Sequence, residues 1–246
     1  MFAYMPLAPF CSAEETRRLQ GLCDEPPPKN DGGETPSSPS AFEQRHRAFL
    51  QRTLSSPQQA TATAFLSRRP ANTHSIPGLE AGTCITLCAM LSHPLSRGST
   101  HITSSLSPAK SKPRIKFNYY THPLDLALHA HHILALERLA RTPGLSLLIK
   151  SSGARFPSTP LETLEDAKDY LRRNATTNYH PCGTCAMMPE RMGGAVDARL
   201  KVHGTRNLRV VDASVFPVIP RGNIVAMVYA VAERGAEIAA EELGGC

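Results

Sequence analysis

Apolar and polar positions along this chain change their period several times, and each change marks an element. "AFEQRHRAFLQRTLSS" places Phe42, His46, Phe49 and Leu50 on one side of a helix. From about Gly82 the pattern turns to strands. "TCITLCAML" is apolar and β-branched, "GSTHITSS" alternates weakly, and "RIKFNYY" alternates well. Strands joined by short turns predict an antiparallel sheet with one face covered.

Helical spacing returns in "HPLDLALHAHHILALERLARTPG", with Leu124, Leu128, Leu134 and Leu139 near one face and a stop at Pro143-Gly144. "LETLEDAKDYLRRNAT" predicts a second helix, with acids early and arginines late to suit the helix dipole. Leu208, Val210 and Val211 predict a short buried strand that runs into an acidic turn. A last helix is predicted over Asn223 to Leu243, with Asn223 as its N-cap and Gly244-Gly245 as its stop. Strand and helix alternate too irregularly for a parallel doubly wound sheet. The fold class is therefore α+β, an antiparallel sheet flanked by helices.

Composition narrows the picture. The 246 residues suffice for one large domain or two small ones. "CDEPPPKNDGGETPSSPS", Cys23 to Ser40, is too rich in breakers to build a core and reads as a disordered surface loop. The formal charge is +6, but the basic residues are scattered, as in Arg17-Arg18, Arg68-Arg69 and Arg172-Arg173. No run interleaves them with aromatics, so no nucleic-acid partner is expected. No segment approaches the roughly 20 apolar residues of a membrane span. The start, "MFAYMPLAPFCSAEE", lacks a basic leader and is broken by Pro6 and Pro9, which makes a poor signal peptide. The sequon Asn174-Ala175-Thr176 would matter only in a secreted protein.

Seven cysteines in a chain of this length do not imply a disulfide framework. Cys84 and Cys88, in an apolar run, read as small core residues. Cys182-Gly183-Thr184-Cys185 forms a C-x-x-C within "NYHPCGTCAMMPE". A redox dithiol needs its first cysteine at the N-terminus of a helix that follows a strand. Here Pro181 precedes it, and Pro189 and Gly193-Gly194 follow closely. A zinc site would need a second short-spaced pair of ligands, and neither a second C-x-x-C nor an H-x-x-x-H is present. His129, His131 and His132 read as partly exposed helix histidines, with His203 the remaining distant candidate; no metal is expected. A serine triad lacks its G-x-S-x-G elbow, although Ser214 and Asp212 are neighbours.

The remaining reading of the motif is a catalytic histidine on a turn. "YHPCGTCAM", "GGAVDARLKVHGTRNLRVVDASVFPVIPRGN" and the helix after Asn223 resemble, in order and spacing, the C-terminal region of the glucose–methanol–choline (GMC) oxidoreductases, a family of FAD enzymes. Upstream, "LSHPLSRGSTHITSS" and "RIKFNYYTHPLDL" are similar to that family's substrate-domain strands. The resemblance covers the later two-thirds of the chain well and the first eighty or so residues loosely.

The resemblance implies roles for particular residues. His180 is the counterpart of the family's base beside flavin N5. There it would take an alcohol's hydroxyl proton as the carbon yields a hydride. A base that works near neutral pH, held within hydrogen-bond reach, suits this step. Pro181 restricts the backbone of His180, and Gly183 lets the turn close. Asn223 occupies the place of the family's second polar residue and would bond the substrate oxygen. The positive end of the helix after it would face the flavin pyrimidine. Asp212 and Ala213 match the segment that approaches the FAD pyrophosphate and ribityl chain, and Ile224 and Val225 match residues at the isoalloxazine edge. Cys182 and Cys185 then need only be free thiols packed at the turn.

No G-x-G-x-x-G follows a strand near the start, and in this family that fingerprint holds the ADP part of FAD. The chain is thus expected to be the C-terminal part of such an enzyme. Residues 1–81 would be a partial substrate-domain segment, 82–206 the substrate-domain core, and 207–246 a strand and helix belonging to the FAD-domain side. The apolar faces of that strand and helix are expected to be exposed. The implied partners are a small-molecule alcohol and a separate N-terminal FAD-binding half; alone, the chain is not expected to retain FAD. A non-catalytic remnant that binds a partner, and a non-redox lyase or cyclase using the same His180 site, are the alternatives.

Overall fold

The computed structural model describes residues 2–26, 39–68, 84–105, 111–150 and 153–244. Of the expected disordered loop Cys23–Ser40, residues 27–38 lie outside these, whereas Cys23 is buried at the end of a helix. The described chain forms two compact units, Met1–Pro26 with Leu50–Ser92 and His122–Asn178, and Pro27–Phe49 with His93–Thr121 and Tyr179–Cys246.

In the first unit, β1 (Phe2–Pro6), β2 (Ala60–Ser67) and β3 (Thr86–Leu91) make an antiparallel sheet in the order β1-β2-β3. Met5 pairs with Ala62, and Ala62 with Leu91. β1 comes from the stretch judged a poor leader, and α1 (Ala13–Leu22) follows it, capped by Ser12 Oγ accepting from Glu15 N–H at 3.1 Å. A second helix, α2 (Ala41–Ser55), spans the division between the units and contributes buried Leu50 and Leu54 to the first.

The centre of this unit is α3 (Pro123–Ala140), which packs on β3, α1 and α5. Leu124, Leu128 and Leu134 are buried as the spacing predicts, but Leu139 is exposed. Burial extends around most of the helix because it has neighbours on several sides. This overturns the expectation of partial exposure for His131 and His132, whereas His129 is half-buried, as expected. His131 and His132 are buried, and all three histidines hold partners. His132 Nε2 lies 2.8 Å from Thr61 Oγ1, His131 Nε2 3.0 Å from Glu15 Oε1, and His129 Nε2 3.0 Å from Ala89 O. Desolvation lowers the pKa of each, to about 3 for His132 and about 4 for His129, and for His131 it outweighs the nearby Glu15 carboxylate. The chain then makes a short turn of helix, α4 (Pro143–Ser146), and reaches α5 (Leu164–Asn174). α5 starts with a capping box: Thr163 Oγ1 accepts from Asp166 N–H, and Asp166 Oδ2 accepts from Thr163 N–H.

The second unit carries the two-stranded sheet of β4 (Ser99–His101) and β5 (Arg114–Lys116), with Thr100 opposite Ile115. The strands expected in one sheet are therefore shared between two, since β3 pairs with β2 and not with β4. The core of this unit is Val196, Leu200, Val215 and Phe216, packed against Cys182, Val202, Val210 and residues of α6 (Val225–Glu242). The buried strand expected around Leu208 does not form. Leu208 is 54% and Val211 39% exposed, and an isolated bridge between Lys201 and Arg209 is the ladder contact there. Val210 reaches the core, and the backbone of the segment bonds to residues 200–202, through Val202 N–H to Leu208 O at 2.9 Å and Val210 N–H to Leu200 O at 3.1 Å; among the described residues no named strand pairs with it. Cys84 and Cys88 are half-buried rather than enclosed.

Candidate functional site

The turn that carries His180 begins with a left-handed residue, Tyr179, at φ 60°. A residue before proline is restricted to extended backbone, which applies to His180 before Pro181, and Gly183 closes the turn at φ 88°. No other residue fits well at Gly183: a Cβ there would stand 3.0 Å from Arg97 Nη2 and 3.1 Å from Phe216 O. Beyond the turn the chain runs beside the segment from Asp212 to Phe216. Cys185 N–H donates to Ser214 O at 3.0 Å and Met187 N–H to Val215 O at 2.8 Å. That segment continues through Pro217 and Gly222, itself at φ 73°, to Asn223.

The two segments of this arrangement bring His180 and Asn223 together. Nε2 of His180 lies 2.9 Å from Oδ1 of Asn223. With a carbonyl oxygen facing it, Nε2 carries the hydrogen and donates; a half-turn of the amide would present Nδ2–H instead. His180 is half-buried and Asn223 exposed, so the pair is open to a ligand.

Asn223 is not the helix cap that the sequence suggests. Its side chain is committed to His180, and Ile224 takes the N-cap position with φ −76° and ψ −7°. The start of α6 consequently has neither a side-chain cap nor an acidic residue in its first turn. Ile224 is buried, while Val225 points its apolar side chain to solvent at 56% exposure. Asp212 caps the short 3-10 turn Ala213–Val215, its Oδ1 accepting from Ser214 N–H at 2.8 Å. Its Oδ1 is thus occupied, and Ala213 beside it is half-buried against the core.

The cysteines flank the turn as free thiols. Cys182 packs on the Val215–Phe216 cluster, and desolvation pushes its thiol up despite the opposing pull of the Arg97 cation. That is the reverse of an activated thiolate. Among the described residues no group of three or more His, Cys, Asp or Glu side chains is placed to hold a metal ion, and no helix is long and apolar enough to cross a membrane.

Sequence reasoning left Arg97 and His93 out of this unit's polar framework. Arg97 Nη1 donates to Pro217 O at 3.0 Å. His93 Nδ1 lies 2.9 Å from Ile219 O, and Arg221 Nε is 3.3 Å from His93 Nε2. Both carbonyls lie in the approach to Asn223. Nothing in the pattern of "SHPLSRG" says which distant carbonyls its side chains reach.

Comparison with known proteins gives a consistent result. Residues 94–232 match the family model described as GMC oxidoreductase, C-terminal part. The GMC oxidoreductase family protein Mala s 12 of Malassezia sympodialis is 41% identical over 154 residues, which is 63% of this chain and 24% of that protein. The structure of an FAD-dependent oxidoreductase from Chaetomium thermophilum superposes with a TM-score of 0.78 over 100% of this chain and 39% of that one, at 24% identity. A fungal aryl-alcohol oxidase is 30% identical over 96% of this chain and 34% of its own length, with a TM-score of 0.63. The chain spans about a quarter of the length of the curated relatives that it matches.

Proposed function

Since the chain belongs to the GMC oxidoreductase family, we propose that it is the C-terminal part of an FAD-dependent enzyme that oxidises an alcohol, with His180 as the general base and Asn223 as its partner. The observation that carries this reading is the 2.9 Å approach of His180 Nε2 to Asn223 Oδ1.

The residues present suit a flavin. The N-terminus of α6 has no side-chain cap and no acidic neighbour in its first turn, which leaves its positive end available to an electron-rich ring. Val225 offers an exposed apolar contact beside it. Since the Asp212 carboxylate already caps its own turn, the main chain of Asp212 and Ala213 is what this segment offers to the cofactor. When bound, FAD supplies the hydride acceptor. Residues 207–246 would form the side that meets an FAD-binding half, and the uncovered Leu208 and Val211 accord with that.

This chain's own residues handle the proton. The substrate hydroxyl takes the place of the direct His180–Asn223 bond. With the imidazole in the tautomer that carries its hydrogen on Nδ1, the substrate O–H donates to Nε2, and its oxygen accepts from Asn223 Nδ2–H once the amide has turned. His180 then removes the proton while Asn223 steadies the oxygen as negative charge grows on it. Alcohol C–H bonds yield hydride only as that charge develops, so the two groups act on one event.

The test is stopped-flow reduction of bound FAD by alcohols, in the polypeptide or complex that holds this chain together with an FAD-binding half. His180→Ala is expected to slow reduction by about 10²–10⁴-fold with flavin still bound. An unchanged rate would remove His180 from the mechanism.

A further inference from the structure

We propose that Arg97 is the positioning residue of this site: its guanidinium locks the His180 turn to the segment leading to Asn223, and so sets the spacing of the pair. The inference rests on the reading of His180 and Asn223 as the working pair, but its main test does not depend on catalysis.

Arg97 is pinned from its backbone outward. Asn118 Nδ2–H donates to Arg97 O at 3.0 Å, from a residue that itself sits at φ 52°. At the next position, Gly98, a Cβ would lie 2.5 Å from Lys116 O, so the chain there is pressed against β5. From this anchored point the side chain reaches three other places. Its guanidinium carbon stands 5.3 Å from the centre of the Phe42 ring, a cation–π contact. Nη1 donates to Pro217 O at 3.0 Å. Nη2 stands close against Gly183, where an added Cβ would meet it at 3.0 Å.

These contacts touch both arms of the site. Gly183 lies in the turn that starts at His180, and Pro217 lies in the segment that ends at Asn223. Arg97 is exposed as a residue, while the surroundings of its guanidinium desolvate the charge enough to lower its pKa. Among the described residues no carboxylate stands within ion-pair distance of it; Glu43 acts only at longer range. An arginine held by a ring face, a carbonyl and a glycine, rather than by an acid, is held for its shape. Lysine would keep the charge and lose the planar fork.

Histidine ring NMR on the full chain tests this directly. Asn223→Ala supplies the ring signals of His180 with its partner removed. Arg97→Lys and Arg97→Ala are expected to move the His180 Nε2 signal toward that reference, and Phe42→Leu, which loosens only the ring plate, to move it part of the way. Should Arg97→Ala fail to fold, Arg97→Lys and Phe42→Leu carry the test. Unshifted His180 signals in folded Arg97 variants would overturn the proposal, and so would an Asn223→Ala variant that leaves His180 unmoved, since no bond would then exist to be positioned. A loss of melting temperature with unmoved His180 signals would mark Arg97 as mere scaffold. In an FAD-loaded assembly, Arg97→Lys is expected to lower kcat by about 10–100-fold with KM changed far less. If His180→Ala proves catalytically silent while Arg97 variants still move the ring signals, the alcohol-oxidation reading falls and the positioning role stands.

Discussion

His180 Nε2 and Asn223 Oδ1 stand 2.9 Å apart across 43 positions of sequence. Neither is brought there by a regular element of its own. His180 rides on a turn opened by Tyr179 and closed by Gly183, both in the left-handed region, and Asn223 stands just outside α6. The bond replaces a helix cap with a contact between side chains.

Removing the amide should therefore be a functional change more than a structural one. Asn223→Ala is expected to slow flavin reduction in the FAD-loaded assembly by about 10²-fold, as for loss of a donor to a developing oxyanion. The urea midpoint should hardly move, since Asn223 is exposed and caps nothing. Stopped-flow and denaturation on the same preparation check both halves.

Gly183→Ala should damage the turn itself. The new Cβ meets Arg97 Nη2 and Phe216 O at 3.0 and 3.1 Å, at a φ of 88°. The left-handed backbone alone costs about 1–2 kcal/mol with a Cβ present. Combining it with Arg97→Ala should recover the Arg97 share of the steric cost and leave the Phe216 O contact and the backbone part. A double-mutant cycle in urea reads the difference, and strict additivity would refute the contact.

Acid should destabilise the first unit earlier than carboxylates alone would allow. Folded His132 and His129 titrate at about 3 and about 4, against an ordinary value of 6.5. Between those values the unfolded chain binds more protons, so stability falls as pH falls; above 6.5 the contribution is fully present. Glu15, lowered to about 2 chiefly by Arg18, acts in the same direction from 4.5 downward. Each histidine adds at most about 1.4 kcal/mol per pH unit in its window. Urea midpoints from pH 7 to pH 5 should fall steadily, and less steeply in His132→Gln.

The thiols should behave as ordinary, sheltered cysteines. Cys182 is half-buried with its pKa raised, so alkylation near pH 7.5 is expected to be slower there than at a free cysteine. Rapid labelling of Cys182, or a reversible Cys182–Cys185 disulfide detected by mass spectrometry, would restore the dithiol reading.

Some of this was legible in the chain and some was not. α2, α3, α5 and α6 announce themselves through periodic apolar positions and end signals, and β3, β4 and β5 through β-branched runs. β1 was hidden because its apolar run does not alternate with polar positions and Pro6 breaks it. β2, "ATATAFLS", was hidden because alanine and threonine alternate with little contrast in polarity. His131 and His132 were misjudged because burial on several sides depends on tertiary neighbours, and a helix pattern records only its own faces. At the site, the H-P-x-G-T turn and Asn223 were readable from a resemblance in order and spacing, and the structure brings the two together. The bracing by Arg97 was not readable, since it depends on where Pro217 O and the Phe42 ring come to lie.

Leu208, Val211, Val225, Met227 and Tyr229 all keep large fractions of their side chains in water. Such a surface makes solubility a matter of concentration. Dilute chains would stay apart, while crowded ones would find one another before they found any proper cover. The yield of usable protein from this sequence is thus set as much by a race between collisions as by the energy of its fold.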